Sequence, residues 1–132
     1  MTSGAFPFEA NPNPVDAADR AARLVDPGFG RVFTDHMVTI RYSDAKGWHD
    51  AKVGPRAPLT LDPATAVLHY AQEIFEGLKA YRLADGSMAL FRPEQNARRF
   101  QRSAKRLAMP ELPEEMFLQA CKQLVDVDKD WF

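Results

Sequence analysis

The sequence predicts an α+β (mixed α/β) fold, an antiparallel-leaning sheet followed and covered by two amphipathic helices. Three observations carry that expectation. "HMVTIRYS" (36–43) alternates with β-branched side chains, and a second period-two stretch begins at Phe75. Asp85-Gly86, the strongest short hairpin signal, separates two strand-like runs. After Pro93 the apolar residues recur at helical spacings of three and four, in two successive segments.

Residues 1–27 read as an irregular N-terminal arm, broken by Pro7, Pro12 and Pro14, in which only "VDAADRAARLV" (15–25) has helical composition. "DPGFG" (26–30) is turn chemistry, with Phe29 between Gly28 and Gly30. Strand 36–43 runs into a turn at "DAKGW" (44–48), and "WHDAKVGP" (48–55) returns antiparallel. Asp62-Pro63 supplies a cap and a first helical position for "PATAVLHYAQ" (63–72). From Phe75 onward, Phe75, Gly77, Lys79 and Tyr81 fall on one strand face, and Glu76, Leu78 and Ala80 on the other. "MALF" (88–91) is the partner strand across "ADGS" (84–87). Pro93 opens a helix with the stripe Ala97, Phe100, Ala104 and Leu107. A second helix buries Phe117, Ala120, Cys121, Leu124 and Val125, with Glu114 and Glu115 suited to its N-terminal dipole. "DVDKDWF" carries no closing signal and reads as a chain cut off.

At 132 residues, 45% apolar and 27% charged, the composition is that of one soluble globular domain. A formal net charge of −1 argues against a dedicated nucleic-acid binder. No apolar run approaches the ~18 residues of a membrane span, and the N-terminus lacks a secretory pattern. The single cysteine, Cys121, allows no internal disulfide and fits a reducing cytoplasm. His36, His49 and His69 are too scattered for metal-ligand spacing, so no metal is expected.

Two stretches carry candidate chemistry. In "FRPEQNARRFQRSAKRL" (91–107), five basic residues lie on a helix whose apolar stripe is already assigned. They form a solvated basic face, or one arginine turns inward to hold an anion; a nucleic-acid patch is a third reading, which the near-neutral charge and the lack of interleaved aromatics disfavour. For an anion Arg99 is the best candidate, because it flanks the stripe at Phe100 and its guanidinium offers a bidentate fork to phosphate. In "LHYAQEIFEGLKAYR" (68–82), Tyr70 and Phe75 are core aromatics, or they border a pocket. Gly77 favours the pocket by leaving its face bare for a flat ligand, with Lys79 and Tyr81 continuing that face. Glu76, if buried, needs a partner that the sequence does not name.

Taken with "FTDHM" (33–37) and "VDKDW" (127–131), these stretches resemble, in order and spacing, the N-terminal small domain of a branched-chain amino acid aminotransferase. That family belongs to the fold-type-IV enzymes using pyridoxal 5'-phosphate. Other fold-type-IV members are less similar in "FTDHM" and "FEGLKAYR". The resemblance covers residues 28–132, read as one domain. It implies that Arg99 binds the cofactor phosphate and that Phe29, Tyr70 and Phe75 are substrate-binding. Tyr70 would serve the neighbouring subunit of a homodimer, and Gly77 and Lys79 would be pocket neighbours. Branched-chain amino acids and 2-oxo acids are the implied partners, with no nucleic acid and no membrane. None of the six lysines lies in the context of the family's Schiff-base lysine, which belongs to a second domain. No catalytic residue is therefore expected in this chain, which alone is expected to be inactive. The rival expectation is a non-catalytic binding or interaction module derived from such a domain.

Overall fold

A computed structural model describes residues 4–132; the first three residues of the expected arm lie outside them. The chain is mixed α/β, as the patterning predicts. Its elements are α1 (Ala17–Val25), β1 (His36–Ser43), β2 (Gly47–Pro55), α2 (Ala66–Tyr70), β3 (Ala80–Arg82), β4 (Met88–Leu90), α3 (Pro93–Arg106) and α4 (Glu114–Val127). A 3-10 turn, Lys129–Trp131, follows α4. The strands form two separate antiparallel ribbons, β1–β2 and β3–β4, where the sequence suggests one sheet. Two compact units result. Residues 4–57 and 122–132 make one, and residues 58–121 the other.

In the unit formed by 4–57 and 122–132, β1 and β2 pair from His36↔Pro55 to Ser43↔Gly47. The turn closes with the Lys46 N–H on the Ser43 carbonyl (3.2 Å), and Gly47 takes the positive φ (66°) that a glycine tolerates best. The register shifts between Thr39 and Arg41, where Asp50 on β2 adopts φ 52°. The arm is not loose here. Val53, fully buried, donates to the Pro7 carbonyl (3.0 Å) and accepts from Glu9 (2.9 Å), so the arm runs parallel beside β2. The Gln123 amide doubles as a strand partner for Phe6, accepting its N–H (2.8 Å) and donating to its carbonyl (2.7 Å). The α1 helix lies on the surface, capped by the Asp16 carboxylate on the Asp19 N–H (2.9 Å).

The C-terminal segment is tied down by two buried acids. Asp128 accepts the backbone N–H of His36 (3.1 Å) on one oxygen and pairs with its Nδ1 (2.7 Å) on the other. Because His36 Nε2 accepts the Asn11 N–H (3.0 Å), the ring proton resides on Nδ1 and is donated to Asp128. Asp35 accepts from Val15 N (3.0 Å) and from the Trp131 indole (2.9 Å).

In the unit formed by 58–121, α3 buries Ala97 and Ala104, and Phe100 meets Phe117 of α4 at a ring-centroid distance of 5.3 Å. Gln101 donates to the Leu112 carbonyl (2.9 Å). The half-buried Cys121 has its thiol pushed up by burial, consistent with a packing role. The β3–β4 hairpin closes over Asp85-Gly86, with Gly86 at φ 83° and the Leu83 N–H on the Ser87 carbonyl (2.8 Å). Two elements are shorter than the sequence suggests. Asp62 caps a turn through the Ala64 N–H (2.7 Å) instead of starting the helix, which begins at Ala66 and ends with Ala71 at φ 49°. The strand starting at Phe75 is regular only from Ala80, because the preceding backbone has no ladder partner.

The end of α3 shows a further strain. Met109 N–H returns to Ala104 O (2.8 Å) and Ala108 N–H to Lys105 O (3.2 Å), the paired bonds of a Schellman motif. Its left-handed residue is Ala108 (φ 53°), not glycine. Ala108→Gly should therefore raise stability by about 1 kcal/mol, since a Cβ in that conformation costs roughly that much. A higher urea midpoint with an unchanged m-value checks this. Trp131→Phe retains an aromatic ring but removes the donor to Asp35, so it should cost about 1–3 kcal/mol by the same measurement. An unchanged midpoint would show that Asp35 does not need the indole.

Candidate functional site

The segment 71–79 and the first turns of α3 form the best-defined polar constellation in the unit of residues 58–121. Asn96 and Arg99, three residues apart on α3, share a helix face. Both reach Glu76. Arg99 donates Nε–H to Glu76 Oε1 and Nη2–H to Oε2 (2.9 Å), a side-on bidentate pair. Asn96 Nδ2 donates to Glu76 Oε2 (2.8 Å) and to the Gly77 carbonyl (3.0 Å). Glu76 thereby obtains the partner that its burial requires. Asn96 is a member that sequence reasoning passed over, and its shared face with Arg99 was the available signal.

The pair is asymmetric. The Glu76 side chain is 5% exposed, whereas that of Arg99 is 60% exposed. The carboxylate is thus shielded from water, while the guanidinium paired with it stays largely exposed. Hydrogen bonds from Arg99 hold the Glu76 carboxyl below the usual carboxylate range; burial opposes the shift and Asn96 adds to it. Glu76 in turn raises the Arg99 guanidinium. Arg99 remains cationic, with its Nε–Nη2 edge occupied and its other edge available to solvent or a ligand.

The apolar candidates are exposed. Phe75 is 86% and Tyr70, the last residue of α2, 84% exposed, so neither is a core aromatic. Phe75 contributes to a groove of about 440 Å³ whose apolar wall is completed by Ile74 and Leu107. Arg102, Arg106, Ser103 and Glu73 supply its polar rim. Gly77 does not face empty space, since a Cβ there would meet the Phe75 ring at 3.6 Å, an ordinary contact. Lys79 places its ammonium 5.3 Å from the Tyr81 ring centroid, and Tyr81 lines a separate groove of about 240 Å³ with Leu83, Ala89, Leu90 and Phe91. The structure thus brings Arg99, Phe75 and Gly77 into one neighbourhood through Glu76 and Asn96. Phe29, 99% exposed in its turn, belongs to the other compact unit.

Among the described residues no group of three or more His, Cys, Asp or Glu side chains is arranged to hold a metal ion, and no helix is long and apolar enough to cross a membrane.

No family model matches the chain. Individual proteins do. It is 58% identical over 131 residues to a probable branched-chain-amino-acid aminotransferase of Streptomyces coelicolor, covering 99% of this chain and 36% of that protein. It is 57% identical over 133 residues to the branched-chain-amino-acid aminotransferase of Mycolicibacterium smegmatis, with the same coverage. With branched-chain-amino-acid transaminase 1 of Bacillus subtilis it shares 54% identity over 104 residues, 79% of this chain and 29% of that protein. The chain spans 36% of the length of the first two relatives. Over the part it spans, the chain is similar throughout to branched-chain-amino-acid aminotransferases, as about a third of such a protein would be.

Proposed function

We propose that the complete protein carrying this chain is a cytoplasmic, homodimeric branched-chain amino acid aminotransferase. It moves the amino group of leucine, isoleucine or valine to 2-oxoglutarate with pyridoxal 5'-phosphate. The observation that carries this chain's share is the Arg99 guanidinium, anchored by Glu76 on one edge and 60% exposed. A cationic, planar donor that is held in place but still open suits a phosphate well, and this arginine has the chemistry to fit it. When bound, pyridoxal phosphate supplies the electron-withdrawing ring that makes exchange of the amino group feasible.

The chain's own residues bind and exclude. Arg99 would hold the cofactor phosphate. Phe75 gives a substrate pocket an apolar wall of the kind that a branched aliphatic side chain requires, and Gly77 and Lys79 border it. A substrate-binding role for Phe29 rests on the resemblance alone. Tyr70 ends a five-residue helix with its ring in solvent, which supports a role in the site of a second subunit. The lysine that holds the cofactor is supplied by the remainder of the protein.

Arg99→Ala should weaken pyridoxal phosphate binding by about tenfold or more, the loss expected for a charge-assisted bidentate contact. Arg98→Ala removes a half-exposed pairing with Glu114 (3.3 Å) and should leave cofactor affinity nearly unchanged. Equilibrium titration of the cofactor-free, full-length protein, followed by absorbance, measures both. Equal dissociation constants for the two variants would assign Arg99 to the solvated basic face. Transamination assays with leucine, isoleucine or valine and 2-oxoglutarate test the reaction separately.

A further inference from the structure

We infer that Glu76, clasped in turn by Asn96, is a positioning residue that fixes the guanidinium plane of Arg99 so that its free edge is presented to a phosphoryl group. This rests on the reading of Arg99 as the phosphate contact. The geometry is specific. The Nε–H and one Nη2–H of Arg99 are both spent on Glu76, and such a side-on fork fixes the rotation of the guanidinium as well as its location. Asn96 then prevents the fork from drifting, because its one amide nitrogen donates both to Glu76 and to the backbone of Gly77. The helix that carries Arg99 and the segment that carries Glu76 are thereby locked by the same group.

Two opposing effects decide the sign. A carboxylate near an anion site repels the anion, which predicts that removing Glu76's charge tightens phosphate binding. An exposed arginine without an anchor must be immobilised by the ligand, which costs roughly a factor of ten in affinity. The repulsion acts between groups on opposite edges of one guanidinium at a solvent-facing site, where water screens it. Positioning wins. The neighbouring Arg102 and Arg106 make the contrast, since neither has a hydrogen bond or ion pair among the described residues to set its plane.

The test uses the cofactor-free, full-length protein titrated with pyridoxal phosphate, with inorganic phosphate, and with pyridoxal, which lacks the phosphate. Glu76→Gln preserves volume but turns one acceptor into a donor facing Arg99. It should weaken binding of both phosphate-bearing probes by about fivefold. Pyridoxal affinity should stay within about twofold, which separates positioning from general damage to the fold. The ¹⁵N signal of the Arg99 Nε–H, assigned by its loss in Arg99→Lys, should exchange slowly with water in the parent protein and quickly in Glu76→Gln. Asn96→Ala keeps the carboxylate and should shift both readouts in the same direction by less, so it decides the matter if Glu76→Gln does not fold. Unchanged or tighter phosphate binding in these variants, with Arg99→Ala still weak, would overturn the positioning role alone. An Arg99→Ala protein that binds normally would instead overturn the phosphate reading on which it rests.

Discussion

A carboxylate withdrawn from water must be given donors, and that requirement organises both units of this chain. Asp35 and Asp128 are buried in one unit, and the Glu76 side chain is covered in the other. An unpaired buried charge costs several kcal/mol, so each acid dictates the positions of the groups that serve it. Asp128 draws in the backbone and ring of His36, ninety-two residues away in sequence. Asp35 draws in Val15 and the Trp131 indole. Glu76 draws in Asn96 and Arg99 from α3. No apolar contact specifies geometry as tightly, because dispersion is non-directional and these hydrogen bonds are not.

The division between what the sequence discloses and what it hides follows from this. The β1 and β2 strands, the Asp85-Gly86 hairpin and the stripes of α3 and α4 are legible because each is a local period or a local turn preference. Ala97 and Ala104 are buried on α3, and Phe117 is buried on α4. The alternation from Phe75 predicts a strand that residues 75–79 do not form, because it reflects which side chains meet α3, not a ladder. Ile74 and Glu76 turn inward while Phe75 and Gly77 face out, the pattern of a strand without its hydrogen bonds. The tail and the arm were illegible for a different reason. Their order comes from single polar pairs spanning 92 and 117 residues of sequence, and no window along the chain contains both partners.

The candidate site divides the same way. Arg99 was visible because it flanks an apolar stripe, and Tyr70, Phe75 and Gly77 because an aromatic-rich run with a bare position is unusual. Their exposure excludes the core reading for Tyr70 and Phe75. Phe29 had no local signal beyond two flanking glycines and rested on resemblance. Asn96 carries the least visible role. One amide on a basic helix looks like any other solvated polar residue until the carboxylate and carbonyl it bridges are seen together.

The choice of arginine over lysine at residue 99 is where these threads meet. A lysine ammonium could pair with Glu76, but it is a point charge with no second edge, and neutralising it with one carboxylate leaves little to orient a further anion. A guanidinium is planar and carries donors on two edges, so one edge can be spent on structure while the other remains available for binding. The covered carboxylate of Glu76 takes the Nε–Nη2 edge, and the other edge is left for solvent or a ligand. Its pairing also lowers its own tendency to take up a proton, so the anchor remains charged into acid conditions in which a solvated glutamate would begin to release the arginine. The same ion pair that satisfies a buried acid thus turns an otherwise mobile surface cation into a directed one.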